Sequence, residues 1–481
     1  MKDKVKVGLH DNDPTAQYLH LLVHANNKGP NLCKTVISAG ALNYPIPSIL
    51  SWKAEYNNSN AVDNGAEIKR IESISEYIDT TFRKYGHRDE DVAIILDGYD
   101  TWFQLRPDIM LERFFEANRL ANNRVVKKMG QVAMDAGRVQ QKIIFGKQQE
   151  CSGKKEDPAC WAVPQSPLSK NVYGAGKDGE RFLNAGFIMG ELGALRRLFN
   201  KANETFHLDE DHNTLQSVMT KMFGEQEYER EVLALKYQPT SLLSRLARFI
   251  GFSESSSLAQ QPLDFQPQAI EAGAAEYNIG LDYDSLLTSS TELGDSLEFI
   301  SRTDTKHIAS IKRKAKFTIS DKVYKLSDDI LRSLEPFWSR NPSKTLPRDS
   351  SWESTPLFTN LHTGAIPASI QHSSPRLDPD NPSNLRISSW SKLWFHQHVR
   401  ELLDEHIEEP YRSFATLEGG ESGEVAWWPL HMRKWGFHDP QGEKIKKQWI
   451  DWQDVCGGDG ELEKEVWRDG KPAWKPSRMD Y

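Results

Sequence analysis

Long apolar runs are missing from this chain of 481 residues. No stretch approaches the roughly 20 residues that a helix needs to span a bilayer. The opening Met1-Lys2-Asp3-Lys4-Val5 lacks the apolar core of a signal peptide, so the chain reads as soluble. No lysine- or arginine-rich block stands out and the net charge is −8, which argues against nucleic acid as the main partner. An anionic substrate then needs local neutralisation, by a metal or by single basic residues. Cysteine is scarce, with four in all, and no CxxC pair or Cys/His cluster suggests zinc. Cys151 and Cys160 lie in a polar, Pro-containing loop, where they close as a disulfide in an oxidising compartment or stay as free thiols. The sequons Asn57-Asn58-Ser59 and Asn203-Glu204-Thr205 matter only in a secreted chain. No internal repeat is found.

Hydrophobic content of 38% is low, but 14 Trp and 20 Phe supply large core pieces. The length suits two or three domains, or one large domain with insertions. Lys4 to Leu9 alternates and reads as a first strand. Asn12 to Asn27, with Pro14 in its first turn, reads as a helix, and Lys34 to Ser38 as a second strand. Ala66 to Tyr85 carries a helical stripe at Ile68, Ile71, Ile74, Ile78 and Phe82. Val92 to Leu96 is a buried strand. Pro107 opens a helix that buries Met110, Leu111 and Phe114, and Lys142 to Gly146 is a further strand. Arg181 to Gly190 reads as a loop entering a strand. Helices follow over Ala194 to Ala202 and from about Asp211 to Phe223. This order predicts an α/β fold with a mostly parallel central sheet flanked by helices.

Two stretches break the pattern. Residues 239–275 hold an amphipathic piece (Leu242, Leu243, Leu246, Phe249, Ile250) followed by a Ser/Gln/Pro/Ala-rich insertion. That piece packs on the body or lies on a membrane surface. Residues 302–355 are polar and read as a second insertion. Residues 376–481 hold nine of the fourteen Trp and read as an irregular extension that wraps the body.

The apolar run of residues 92–96 stops at Asp97-Gly98-Tyr99-Asp100. Open α/β sheets take ligands beyond the carboxyl ends of their strands. Two carboxylates there, with a glycine for the turn, suit a hard divalent cation carrying phosphate oxygens. An ordinary Asx-type turn is the plain alternative.

Asp97-Gly98-Tyr99-Asp100 resembles the metal-binding DxD element of GT-A glycosyltransferases. Arg181-Phe182-Leu183-Asn184-Ala185-Gly186-Phe187-Ile188-Met189-Gly190 resembles the RFLNSGxxIG segment of the glycosyltransferase domain of procollagen lysyl hydroxylases. Trp52, Asn64-Gly65 and Lys69-Arg70-Ile71 resemble that domain's W…GG…K segment. Ala365-Ile366-Pro367-Ala368-Ser369-Ile370-Gln371-His372 resembles its xLPxVIH segment. A fungal group of glycosyltransferase-like chains with a similar Trp-rich end is the nearest likeness. The resemblance covers about residues 5–375. It departs from the family at Ser373-Ser374-Pro375, where the family has glycines, at Ala185 for serine, and at Asp209-Glu210-Asp211-His212 for DDDQ.

The resemblance implies a GT-A-like, Rossmann-type domain over residues 1–375 and a Trp-rich extension over 376–481. It implies a hexosyltransferase-like enzyme using a nucleotide-sugar, expected to be a UDP-sugar, and a glycan or protein acceptor, with retention of configuration. Asp97, Asp100 and His372 would hold Mn²⁺ or Mg²⁺. Tyr99 and Trp52 would border the nucleotide and Lys69 would meet phosphate. Asn184 and Asp211 would face the sugar or acceptor. It also implies the secretory pathway or Golgi, with membrane attachment only through an upstream anchor or the 239–250 piece.

Each position keeps a plainer alternative. His372 could be a loop histidine, with His362 a rival ligand. Asn184 could cap a turn, Trp52 could be core, Lys69 a solvated charge and Asp211 a helix N-terminal acid. A second functional class, a glycan- or nucleotide-sugar-binding protein with catalysis lost, draws on the altered loop after His372 and on Ala185. A phosphohydrolase using Asp97 as nucleophile lacks its DxDx[TV] signature, since position 99 is Tyr.

Overall fold

Val92–Asp97 buries residues on both of its faces, and that dictates a layered structure. In the computed structural model, Val92, Ile94 and Leu96 join one apolar cluster and Ala93 and Ile95 a second. The structure describes residues 16–53, 64–85, 89–166, 180–208, 213–237, 262, 272–338, 346–372, 389–408, 413, 415–418, 424–429, 436–438, 449–456 and 466.

The chain runs β1 (Gln17–His24), α1 (Pro30–Ala41), β2 (Ser48–Leu50), α2 (Asn64–Tyr85), β3 (Val92–Asp97), β4 (Thr101–Phe103), α3 (Pro107–Met129) and α4 (Gln131–Gly137). It continues through β5 (Ile143–Gln148), α5 (Pro158–Trp161), β6 (Phe182–Glu191), α6 (Leu192–Leu208), α7 (Leu215–Lys236), β7 (Ile279–Leu281) and β8 (Thr288–Ser290). Then come β9 (Leu297–Ile300), α8 (Thr305–Lys314), α9 (Asp328–Arg332), β10 (Leu357–Asn360), β11 (Ser369–Gln371) and α10 (Val399–Glu408). The last elements are β12 (Ala415–Glu418), β13 (Glu424–Pro429), β14 (Gly436–His438), β15 (Trp449–Asp451) and α11 (Trp452–Cys456).

The main sheet has the order β15-β14-β2-β1-β3-β6-β5-β7. Strands β1, β2 and β3 are mutually parallel, as are β5 and β7, while β6 runs antiparallel to both β3 and β5. This is a mixed α/β fold with a mostly parallel sheet. Helices α1 and α3 contribute to the first cluster; α2, α6 and α7 contribute to the second. A smaller sheet, β4-β11-β8, stands beside the carboxyl end of β3. No helix among the described residues is long and apolar enough to cross a membrane.

Two elements differ from the sequence reading. The helix expected over 12–27 contains the strand Gln17–His24, and the strand expected at 34–38 lies inside helix Pro30–Ala41. In β1, Leu19, Leu21 and Val23 enter one cluster and Leu22 the other, so the central position between β2 and β3 overrides the Pro14 signal. In α1, Pro30 occupies the first turn, where a missing N–H costs nothing. The strand expected at Lys4 to Leu9 and the amphipathic piece 242–250 lie outside the described residues.

The C-terminal part of the chain enters the main sheet. Strand β13 pairs in parallel with the first half of β1, and β14 pairs with β2. Trp390, Trp427 and Trp452 are buried in the first cluster. Cys33 of α1 is joined to Cys456 of α11 across 423 positions, and Cys151 is joined to Cys160. The long link was not visible in the sequence, where neither cysteine has a neighbour to suggest a mate.

Exchanging both Cys33 and Cys456 for Ser should lower the unfolding free energy by about 2–4 kcal/mol, the usual range for a native cross-link. Denaturant unfolding of the wild type and the double variant checks this. Equal midpoints would show that the strand pairings alone hold the extension.

Candidate functional site

The loops after β1, β2 and β3 meet at one edge of the sheet. His24 and Asp97 are register partners at the ends of β1 and β3. The chain leaves β3 through Gly98, whose N–H donates to the His24 carbonyl at 3.0 Å. A Cβ on Gly98 would stand 2.8 Å from Val23 Cγ1 and 2.9 Å from both His24 O and Leu32 Cδ1, so only glycine fits this close approach. Tyr99 follows, half-buried. Its hydroxyl accepts from the backbone N–H of Asn26 (3.2 Å) and Asn27 (2.9 Å). It donates to Asn26 Oδ1 or Asn27 O, each 3.0 Å away. Burial first, and the nearby Asp97 charge last, push this phenol above its usual pKa. Tyr99 therefore latches the β3–β4 turn to the β1 loop.

The β2 loop joins the same edge. Lys53 N–H donates to Asn26 O at 3.1 Å, and Lys53 Nζ lies 6.0 Å from the ring of Trp52. Trp52 is partly buried against the first apolar cluster, so its ring borders both core and edge.

Asp100 and His372 are brought together by the small sheet. Strand β11 is antiparallel to β4 with Gln371 opposite Thr101. The pairing continues one step, with His372 N–H donating to Asp100 O at 2.7 Å. Directly opposed residues of an antiparallel pair point to the same face, and Trp102, two residues on, shares it. The His372 ring is fully buried and lies 4.1 Å from the Trp102 ring. His362 sits instead in the turn after β10, with its ring 4.3 Å from Phe317.

Asp97 has a different partner. Arg70 Nη1 of α2 lies 3.4 Å from Asp97 Oδ2, and Tyr99 N–H donates to Asp97 Oδ1 at 3.0 Å. His24 belongs to the same group. Burial, then the Arg70 charge, lower its pKa to about 3, with Asp97 opposing, so the imidazole stays neutral near pH 7.

Among the described residues, no three His, Cys, Asp or Glu side chains form a group that could hold a metal ion. The three side chains expected to hold Mn²⁺ or Mg²⁺ are not gathered into such a group. Asp100 and His372 are neighbours through their backbone, but the third expected ligand, Asp97, is turned to a guanidinium. No family model and no curated protein matches the chain.

Asn184 lies at the start of β6, opposite Gly146 of β5. Its Oδ1 accepts from Gly186 N–H at 2.8 Å and from Gln371 Nε2 at 3.2 Å. A Cβ on Gly186 would fall 1.9 Å from Gln371 Nε2. Asn184 thus braces the register shift between β5 and β6 and ties β6 to β11, one residue before His372. Behind it, Lys147 Nζ lies 3.3 Å from Glu180 Oε2, both side chains buried. Burial holds that carboxyl above its usual range against the pull of Lys147.

Lys69 is exposed and donates to Glu72 at 2.7 Å. The basic residue aimed at the edge is its neighbour Arg70, which the sequence reading left without a role. Helical spacing carries the signal. Arg70 stands beside the buried Ile74, at i+4, and Ser73, at i+3, whereas Lys69 faces Glu72. Asp211 lies outside the described residues.

Gly98→Ala should destabilise the fold by about 1–3 kcal/mol, the range for overpacking a filled site. Gly29→Ala, where nothing lies within 4 Å of the added carbon, should be near neutral. Chemical denaturation of the two variants compares them; similar losses would show that the turn has room to move.

Proposed function

We propose that the chain is a glycosyltransferase of the GT-A type, transferring a sugar from a nucleotide-sugar, expected to be a UDP-sugar, to a glycan or protein acceptor. One observation carries the reading. The hydrogen bond from His372 N–H to Asp100 O joins two of the four sequence segments that resemble the family. It does so at the carboxyl edge of a mostly parallel sheet, where such folds bind ligands. Gln371 links a third segment, through Asn184, to the same place.

In this reading Trp52 and Tyr99 border the nucleotide and Asn184 lies on the side of the sugar and acceptor, a role the resemblance also gives to Asp211. The bond between the anomeric carbon and the diphosphate oxygen breaks through an oxocarbenium-like state. Its electron pair leaves on the diphosphate. The acceptor oxygen bonds the anomeric carbon and gives up its proton to a base. No step is routed through a metal, because Asp97, one of the three expected ligands, faces Arg70.

A second reading is a nucleotide-sugar-binding protein without catalysis. The internal use of Asn184 Oδ1 and the pairing of Asp97 with Arg70 favour it. Release of UDP from a UDP-sugar into water separates the two, since a transferase leaks some donor to hydrolysis and a binding protein does not.

A screen of UDP-sugars, each with and without Mn²⁺, should find at least one that raises the melting temperature by a few degrees. At a hundredfold excess over Kd, binding contributes about 2.7 kcal/mol. Asp100→Ala should reduce the shift without lowering the melting temperature of the free protein. A screen with no shift in either condition ends the glycosyltransferase reading.

A further inference from the structure

We infer that Arg70 is the cation that neutralises the donor's diphosphate, in the place where a metal ion was expected, with Asp97 orienting its guanidinium. The inference rests on the glycosyltransferase reading and concerns how that site meets its ligand's charge.

The first acid of the DGYD turn already has a counter-ion. Asp97 faces Arg70 at 3.4 Å while its other oxygen accepts from Tyr99 N–H. This leaves Asp97 little reason to ligate an ion, and it leaves the guanidinium largely unspent. Arginine has five N–H donors in a fixed fork, and Arg70 makes one long ionic contact here. Its Nε is buried with no hydrogen-bond partner among the described residues. An unused donor of this kind is costly unless a ligand or water meets it. A diphosphate would engage this guanidinium through its terminal Nη groups, since the Nε has no surface open to a ligand, and its oxygens match those donors in pairs and neutralise the charge.

The surroundings hold Arg70 in place. Helix α2 is pinned near Arg70 by Glu67 Oε2, which accepts from Leu215 N–H at 2.9 Å. Three residues further along, Ser73 Oγ accepts from Ser51 Oγ at 3.1 Å, next to Trp52. Arg70 therefore stands between the loop that carries Trp52 and the turn that carries Tyr99. His24, the third member of the group, is partly buried and neutral and offers no competing charge. Two exposed lysines, Lys28 and Lys53, lie on the adjoining loops after β1 and β2. In a chain of net charge −8, this edge gathers the positive groups that a diphosphate requires.

The test compares UDP with uridine, by titration calorimetry in EDTA. The wild type should bind UDP at least tenfold more tightly than uridine without any metal. Arg70→Met should bring that ratio close to one while leaving uridine binding unchanged, an effect that a merely structural ion pair would not produce. Arg70→Lys should keep part of the ratio, since charge remains but the fork is lost. Loss of wild-type UDP binding in EDTA, with recovery in Mn²⁺, overturns the inference without any variant. So does an unchanged UDP-to-uridine ratio in Arg70→Met. If neither compound binds with or without Mn²⁺, the glycosyltransferase reading itself fails and the inference falls with it.

Discussion

The candidate site depends on how closely β3 approaches β1 at their carboxyl ends. Gly98 N–H reaches the His24 carbonyl, and the space beside it excludes even a methyl group. That contact fixes where the chain turns, and so where Asp97, Tyr99 and Asp100 stand. Tyr99 then fastens the β1 loop, Arg70 meets Asp97, and β4 leaves in the one direction that lets β11 pair with it. Parallel strands are held by slanted bonds of modest strength. A site built across two of them gains from a steric stop of this kind.

Much of the scaffold could be read from the sequence, and the reasons are local. The run of residues 92–96, the isoleucine stripe of α2, the Pro107 start of α3 and the 143–148 strand each carry a strong signal. The N-terminal elements do not. Gln17–His24 is rich in leucine and histidine, and it becomes a strand only because its neighbours cover both faces. Residues 30–41 hold a β-branched core that imitates a strand, yet they lie under a proline start.

The site was legible by position and less so by orientation. The end of the apolar run pointed to Asp97 and Asp100 and the family resemblance to Asn184 and His372, and the structure brings Asp100 to His372 and Asn184 to Gln371. Which way a side chain turns depends on partners far along the chain. Asp97 turns to Arg70, from a different element, and Lys69 turns to solvent beside Glu72. A helix presents adjacent residues about 100° apart, so choosing between Lys69 and Arg70 required knowing which flank of α2 faces the edge. The partner of Cys33 was hidden for a related reason, since 423 positions separate it from Cys456.

That bond has a mechanical consequence. Everything between positions 33 and 456 forms one covalent ring, which encloses Asp97, Asp100, Asn184 and His372 and leaves His24 on the chain outside it. A tensile load applied outside the ring would draw β1 from its pairings with β2, β3 and β13, while the sulfur bond kept the enclosed chain from extending. Transport through a narrow pore would stall at this covalent loop until it is reduced.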